Sequence, residues 1–172
     1  MSAPRRKVSV VPDGESSIVI TRSFNAPREL VYDAHTKPEL VRRWLLGPEG
    51  WTMPVCEIDL RVGGKYRYVW KKASTGHEMG MGGEYREIER PQKIVATEKF
   101  DDPWYEGEAY STLTLTETGR TTTLRNFVTY ETAEIRDNVL KSPMQEGLEA
   151  GYNRLEDLLT ENAKSESTGR VV

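Results

Sequence analysis

Between Thr52 and Glu131 the chain runs through six successive stretches of alternating apolar and polar residues, and near its end it carries one long amphipathic segment. In "KYRYVWKK", Tyr66, Tyr68 and Trp70 alternate with Lys65, Arg67 and the apolar exception Val69. "TMPVCEIDL" sets Cys56, Ile58 and Leu60 against Glu57, Asp59 and Arg61. A period of two puts successive side chains on opposite faces, so each stretch predicts a half-buried strand. "VGG", "RPQ" and "TGR" supply short turns, and strands joined by short turns lie antiparallel. Gly82-Gly83 inside "STGHEMGMGGEYREIE" marks a bulge or a close backbone approach. A sheet with one apolar face has to be covered, and the long segment that follows it is the natural cover.

That segment is "SPMQEGLEAGYNRLEDLL", residues 142–159. Ser142 reads as its N-cap, Pro143 as its first helical position and Gln145 as the capping-box partner. At about 100° per residue, Met144, Leu148, Gly151, Leu155 and Leu159 form one stripe, flanked by Leu140, Gly147, Tyr152 and Leu158. Gln145, Glu146, Glu149, Asn153, Glu156 and Asp157 fall on the other side. A glycine in a helix costs roughly 1 kcal/mol relative to alanine. Gly147 and Gly151 on the covered face therefore mean one of two things: close packing against a bulky neighbour, or space left between helix and sheet.

Ahead of the strands, "SIVITRSFNA" predicts a first strand with Ile18, Ile20 and Arg22 on one face. Two short helices follow, each opened by a proline, in "NAPRELVYDAH" and "TKPELVRRWLL". "TAEIRDNVLK" is a further helical piece beginning near Thr132. Residues 1–15 read as a flexible N-terminal arm, 16–160 as one α+β domain, and 161–172 as a disordered tail. The chain's 172 residues suit a single core of that size.

Several function classes are disfavoured. Lys and Arg number 24 against 27 Asp and Glu, and beyond "PRRK" no basic block exists to bind nucleic acid. No apolar run suits a signal peptide or a membrane span. Cys56, the lone cysteine, forms no internal disulfide and fits a cytoplasmic location. His35 and His77 lack metal-ligand spacing, and His35 at a helix end suits the helix dipole. Neither a phosphate loop nor a nucleophile elbow is present, so no cofactor, metal or catalytic set is assigned.

Taken in order, "LVRRWLLGPEGWTMPVCEIDLRVGGKYRYVW", "GGEYREIERPQKIVATEKFD" and "SPMQEGLEAGYNRLEDLL" resemble the activator of heat-shock-protein-90 ATPase homologue-like family. That family belongs to the superfamily of START lipid-transfer domains and the birch-pollen allergen. The resemblance covers about residues 16–160. It implies a helix-grip fold, a curved antiparallel sheet wrapped around a long C-terminal helix and enclosing a cavity. It implies no fixed catalytic residues.

Candidate walls of that cavity come from several elements. Trp44 stands on the second short helix, Tyr66, Tyr68 and Trp70 on one strand, and Met79, Met81 and Tyr85 on the next. The long helix offers Met144, Leu148, Gly151 and Leu155. Such walls suit a small apolar or amphipathic molecule, oriented by buried tyrosine hydroxyls and tryptophan N–H groups. Two polar residues are singled out. Asn126 shares a face with Leu124, Val128 and Tyr130. Glu98 points inward if Ile94 and Ala96 do, with Arg22 or Arg125 as a partner; in the opposite phase Val95 and Thr97 point inward and Glu98 is solvated. Three functions follow: binding of a small guest, a stress-associated co-chaperone module with a chaperone as partner, or a cyclase- or dehydratase-like enzyme using Glu98 or a tyrosine. A monomer or homodimer suits each.

Overall fold

The computed structural model describes residues 6–101 and 107–169, with 162–169 described by backbone alone. Two strands open the chain, β1 (Ser9–Asp13) and β2 (Ser17–Phe24), followed by helices α1 (Arg28–Thr36) and α2 (Pro38–Trp44). Six strands come next: β3 (Trp51–Ile58), β4 (Lys65–Lys72), β5 (Glu78–Glu89), β6 (Lys93–Phe100), β7 (Ala109–Thr118) and β8 (Thr121–Thr129). Helices α3 (Ala133–Lys141) and α4 (Met144–Gly169) close it.

All eight strands join one sheet in the order β1-β2-β8-β7-β6-β5-β4-β3, each pair antiparallel. From β3 to β8 each strand lies beside its sequence neighbour, as short turns require. The α1–α2 connection instead carries the chain from β2 to β3 at the far edge of the sheet. Ile18, Ile20 and Phe24 of β2 enter the core with Leu124 and Val128 of β8 and Leu155 and Leu158 of α4. The alternation holds: Tyr66 and Tyr68 are buried, while Lys65 and Arg67 are exposed.

Three local expectations are corrected. The arm is not loose over residues 9–13, because β1 pairs with β2 from Ser9↔Thr21 to Asp13↔Ser17. Val8, just before it, is 4% exposed, and its N–H donates to Glu149 Oε2 at 2.8 Å. The tail does not begin at residue 161, because α4 runs on to Gly169; residues 1–5 and 170–172 lie outside the described residues. Ser142 closes α3 and does not cap α4: its hydroxyl donates back to the Val139 carbonyl at 2.6 Å. The β5–β6 register shifts between Tyr85 and Glu87, so of the two readings of Gly82-Gly83 the bulge is not the one realised there.

Candidate functional site: a cavity under the long helix

Gly83 is a close approach. A Cβ built there would lie 1.8 Å from the Thr97 carbonyl oxygen and 2.9 Å from the Tyr66 ring. The missing side chain lets the Tyr66 hydroxyl reach across and donate to Thr97 O at 2.6 Å. The Thr97 hydroxyl meanwhile accepts the Glu84 N–H at 2.9 Å. Side-chain bonds thus stand in where the β5–β6 ladder has no paired residues between Gly82↔Lys99 and Tyr85↔Ala96. Glu98, the next residue, lies on the cavity wall with Ala96 and Ile94. The inward phase is the one realised.

Between α4, the α1–α2 corner and the concave sheet lies a cavity of about 550 Å³. Its wall includes Trp44, the β4 trio Tyr66, Tyr68 and Trp70, and the β5 trio Met79, Met81 and Tyr85. Asn126, Met144, Leu148 and Gly151 also line it. Leu155 does not: it is fully enclosed, one turn of α4 past Gly151 and packed in the solid core. The stripe on the helix is longer than the empty space beneath it.

The two glycines have different surroundings. A Cβ at Gly151 would meet the Trp44 carbonyl at 3.4 Å, an ordinary contact, so there α4 lies against the end of α2 without the glycine being required. A Cβ at Gly147 would meet only Pro48 Cδ, at 3.9 Å, so there space is left.

Rings hold the walls in place. Trp44 stacks on Tyr152 at 5.7 Å, and Tyr152 meets Phe24 edge-on at 5.9 Å. Tyr66 lies 5.1 Å from Tyr68 and 5.4 Å from Tyr85. These separations fall in the favourable range for aromatic pairs. The tryptophan donors expected to orient a guest are already used: Trp44 Nε1 donates to Ala34 O at 2.8 Å and Trp70 Nε1 to Leu45 O at 2.7 Å. Tyr66 is committed to Thr97 as well. His35, also on the wall, makes a 2.7 Å bond to Val31 O, and burial lowers its pKa to about 4. It is neutral near pH 7, which removes the charge that a helix-dipole role needs.

Glu98 differs from every other group on the wall. Burial pushes its carboxyl up to about 7. It keeps partial exposure, but that surface faces the cavity it lines. No hydrogen bond or ion pair joins it to another described residue. The two arginines expected as partners are elsewhere. Arg125 is exposed on the outer face. Arg22 has a fully buried side chain but turns to α4, with Asn153 Oδ1 at 3.1 Å, Glu149 Oε1 at 3.5 Å and Glu156 Oε2 at 3.7 Å. These three α4 residues, expected on the outer side of the helix, are half-buried around that guanidinium.

Asn126 and Ser111 make a second polar spot, with the Ser111 hydroxyl donating to Asn126 Oδ1 at 2.7 Å. The register sets Ser111 opposite Ala96 and Asn126 opposite Leu113, so Glu98, Ser111 and Asn126 step diagonally across β6, β7 and β8 on the cavity face. Ser111, His35 and Tyr152 were missed as wall residues; only the Thr-rich alternation of β7 hinted at Ser111. Among the described residues no cluster of His, Cys, Asp or Glu could hold a metal ion, and no helix is long and apolar enough to cross a membrane. Chemically, the site can surround an apolar body and offer it one carboxylate, one amide and a few hydroxyls.

Known proteins share this architecture. A crystal structure of a Rhodobacter sphaeroides protein superposes with a TM-score of 0.85 at 30% identity, covering 91% of this chain and 99% of the other. A Chromobacterium violaceum protein gives 0.72 at 28%, covering 84% and 96%. A Plasmodium falciparum protein described as an Hsp90 activator gives 0.54 at 25%, covering 77% and 91%. No curated protein sequence matches the chain. The fold is the α+β helix-grip fold of these neighbours. A family model matches residues 25–160, which span the cavity walls from α1 to α4, and the chain belongs to the Activator of Hsp90 ATPase homolog 1-like protein family.

Proposed function

We propose that this protein binds a small apolar or amphipathic molecule in the cavity between α4 and the sheet. The observation that carries the reading is a partly open cavity of about 550 Å³ walled by aromatic and aliphatic side chains. Ligand pockets commonly measure about 300–1,000 Å³ and combine such walls with a few polar groups. A space this large left empty forgoes contact energy, which a guest restores. A cytoplasmic location, one soluble copy or two, and no nucleic-acid partner belong to this reading.

The test is native mass spectrometry of freshly purified protein, before and after organic extraction, with thermal unfolding of both. A bound molecule and a lower Tm after extraction are expected, because a ligand at 100 times its Kd adds about 2.7 kcal/mol to stability. Gly147→Phe, which sends a ring into the space beside Pro48, should abolish retention while the protein stays folded. If wild type carries nothing and takes up no apolar probe, the reading is wrong.

A second reading, a co-chaperone-like module, is favoured by the likeness to the Plasmodium falciparum Hsp90 activator. Its test is a pull-down with the cognate chaperone together with its ATPase rate. No association and no change in rate would remove it.

A further inference from the structure

The charge of the cavity is one-sided. Among the described residues on its wall, Glu98 is the sole carboxylate, and no lysine or arginine is present. His35 is neutral near pH 7, and burial raises the Tyr68, Tyr85 and Tyr152 hydroxyls well above it. Arg22, the fully buried cation of β2, is held by Glu149, Asn153 and Glu156. Ionised Glu98 therefore has no counter-ion among the described residues, in a space walled mainly by apolar atoms and aromatic rings. An unpaired buried charge is costly, and the cost is relieved by a proton or by an ion of opposite sign. The electron-rich faces of the neighbouring rings attract the same sign of ion. Glu98 on β6 lines the same space as Tyr68 on β4 and Tyr152 on α4, so its carboxylate borders the volume a guest would fill.

We infer that the guest is a cationic amphiphile, an apolar body bearing one protonated amine, whose ammonium group sits on the Glu98 carboxylate. This rests on the reading of the cavity as a binding site and adds the class of ligand. A fatty-acid-like anion is disfavoured, since its carboxylate would meet Glu98. A neutral alcohol of the same length fills the space and leaves Glu98 without its partner.

The experiment uses the full chain with octylamine, octanol and octanoate below their aggregation limits, followed by calorimetry and by the fluorescence of the wall tryptophans. At pH 8, octylamine is expected to bind at least tenfold more tightly than octanol, with octanoate weakest. Octylamine affinity should rise from pH 6 to pH 8 as Glu98 ionises. Over that range the alkylammonium, with a pKa of roughly 10.4 by analogy with lysine, stays charged. Tyr68, Tyr85, Tyr152 and His35, which face the space from β4, β5, α4 and α1, keep one protonation state between those pH values. Glu98→Gln should bring the amine down to the affinity of the alcohol.

Equal binding of amine and alcohol by wild type, a preference for octanoate, or an amine preference that survives in Glu98→Gln overturns the inference and leaves the cavity reading standing. The ligand series and its pH dependence decide the matter on wild type even if the variant does not fold. If none of the three probes binds at millimolar concentration, the cavity reading falls too.

Discussion

Glu98 and His35 are both held in a medium that favours their neutral forms, yet they act on stability with opposite signs. The Glu98 pKa rises from 4.5 to about 7 on folding, so the native state holds the extra proton between these values. Its contribution is present at low pH and is lost as pH rises toward 7. The His35 pKa falls from 6.5 to about 4, so its contribution is lost as pH drops through that interval. The two slopes oppose each other. Glu98→Gln should therefore be more stable than wild type at pH 8 by roughly 2–3 kcal/mol, after allowing for water in the cavity. The gain should vanish near pH 4.5, and the variant should lose stability with acid more steeply than wild type. Urea unfolding at pH 4.5, 6 and 8 reads this out; equal stability at pH 8 would refute it. Gly83→Ala belongs to the same scale. Its Cβ would strike a backbone carbonyl, which has little freedom to move, so a loss of about 1–3 kcal/mol or more is expected in the same assay. The glycine pair was visible in the sequence, but the phase of Glu98 was not. Ile94 and Ala96 on one face and Val95 and Thr97 on the other are similarly apolar, and the contact among Tyr66, Gly83 and Thr97 that accompanies the inward phase joins three strands.

At the scale of elements, α4 is gripped from two sides. Arg22 clasps its polar stripe, and Trp44 stacks on Tyr152 from the apolar side. Arg22→Ala leaves Glu149 and Glu156 facing an empty site and should cost about 2–4 kcal/mol. Arg22→Met, which keeps the stem and removes the charge, should cost clearly less than Arg22→Ala if volume matters as much as pairing. Chemical denaturation ranks the two, and hydrogen exchange along α4 should show the loss concentrated near Glu149–Glu156. Equal protection in wild type and Arg22→Ala would mean that the clasp holds nothing. Helix position and apolar face were legible from the spacing of Met144, Leu148 and Gly151. The clasp was not, because a Glu–Asn–Glu stripe looks solvated until a buried cation from β2, more than a hundred residues away, is laid against it. Ser142 misled for a related reason: a serine before a proline suits an N-cap, but here the carbonyl end of α3 takes its hydroxyl first.

Across the whole molecule, the sheet was the most legible part, since alternation and short turns dictate order from β3 to β8. What the sequence concealed lay at the margins. β1 is five residues long with Pro12 inside it, a composition that reads as loose chain and also suits an edge strand, where a missing N–H does little harm. Deleting residues 1–13 should lower the midpoint of thermal unfolding by several degrees, because β1 pairing and the Val8–Glu149 bond go together. An unchanged midpoint would make the strand decorative. At the opposite margin, β3 carries Cys56, 5% exposed, its thiol pushed above its usual range by burial. Thiolate is the form that disulfide reagents attack, so the native chain offers them almost none. The lone thiol is thus a built-in clock: in excess reagent, its modification rate counts how often the β3 border comes undone, with no label added. A tightly held guest should slow that clock.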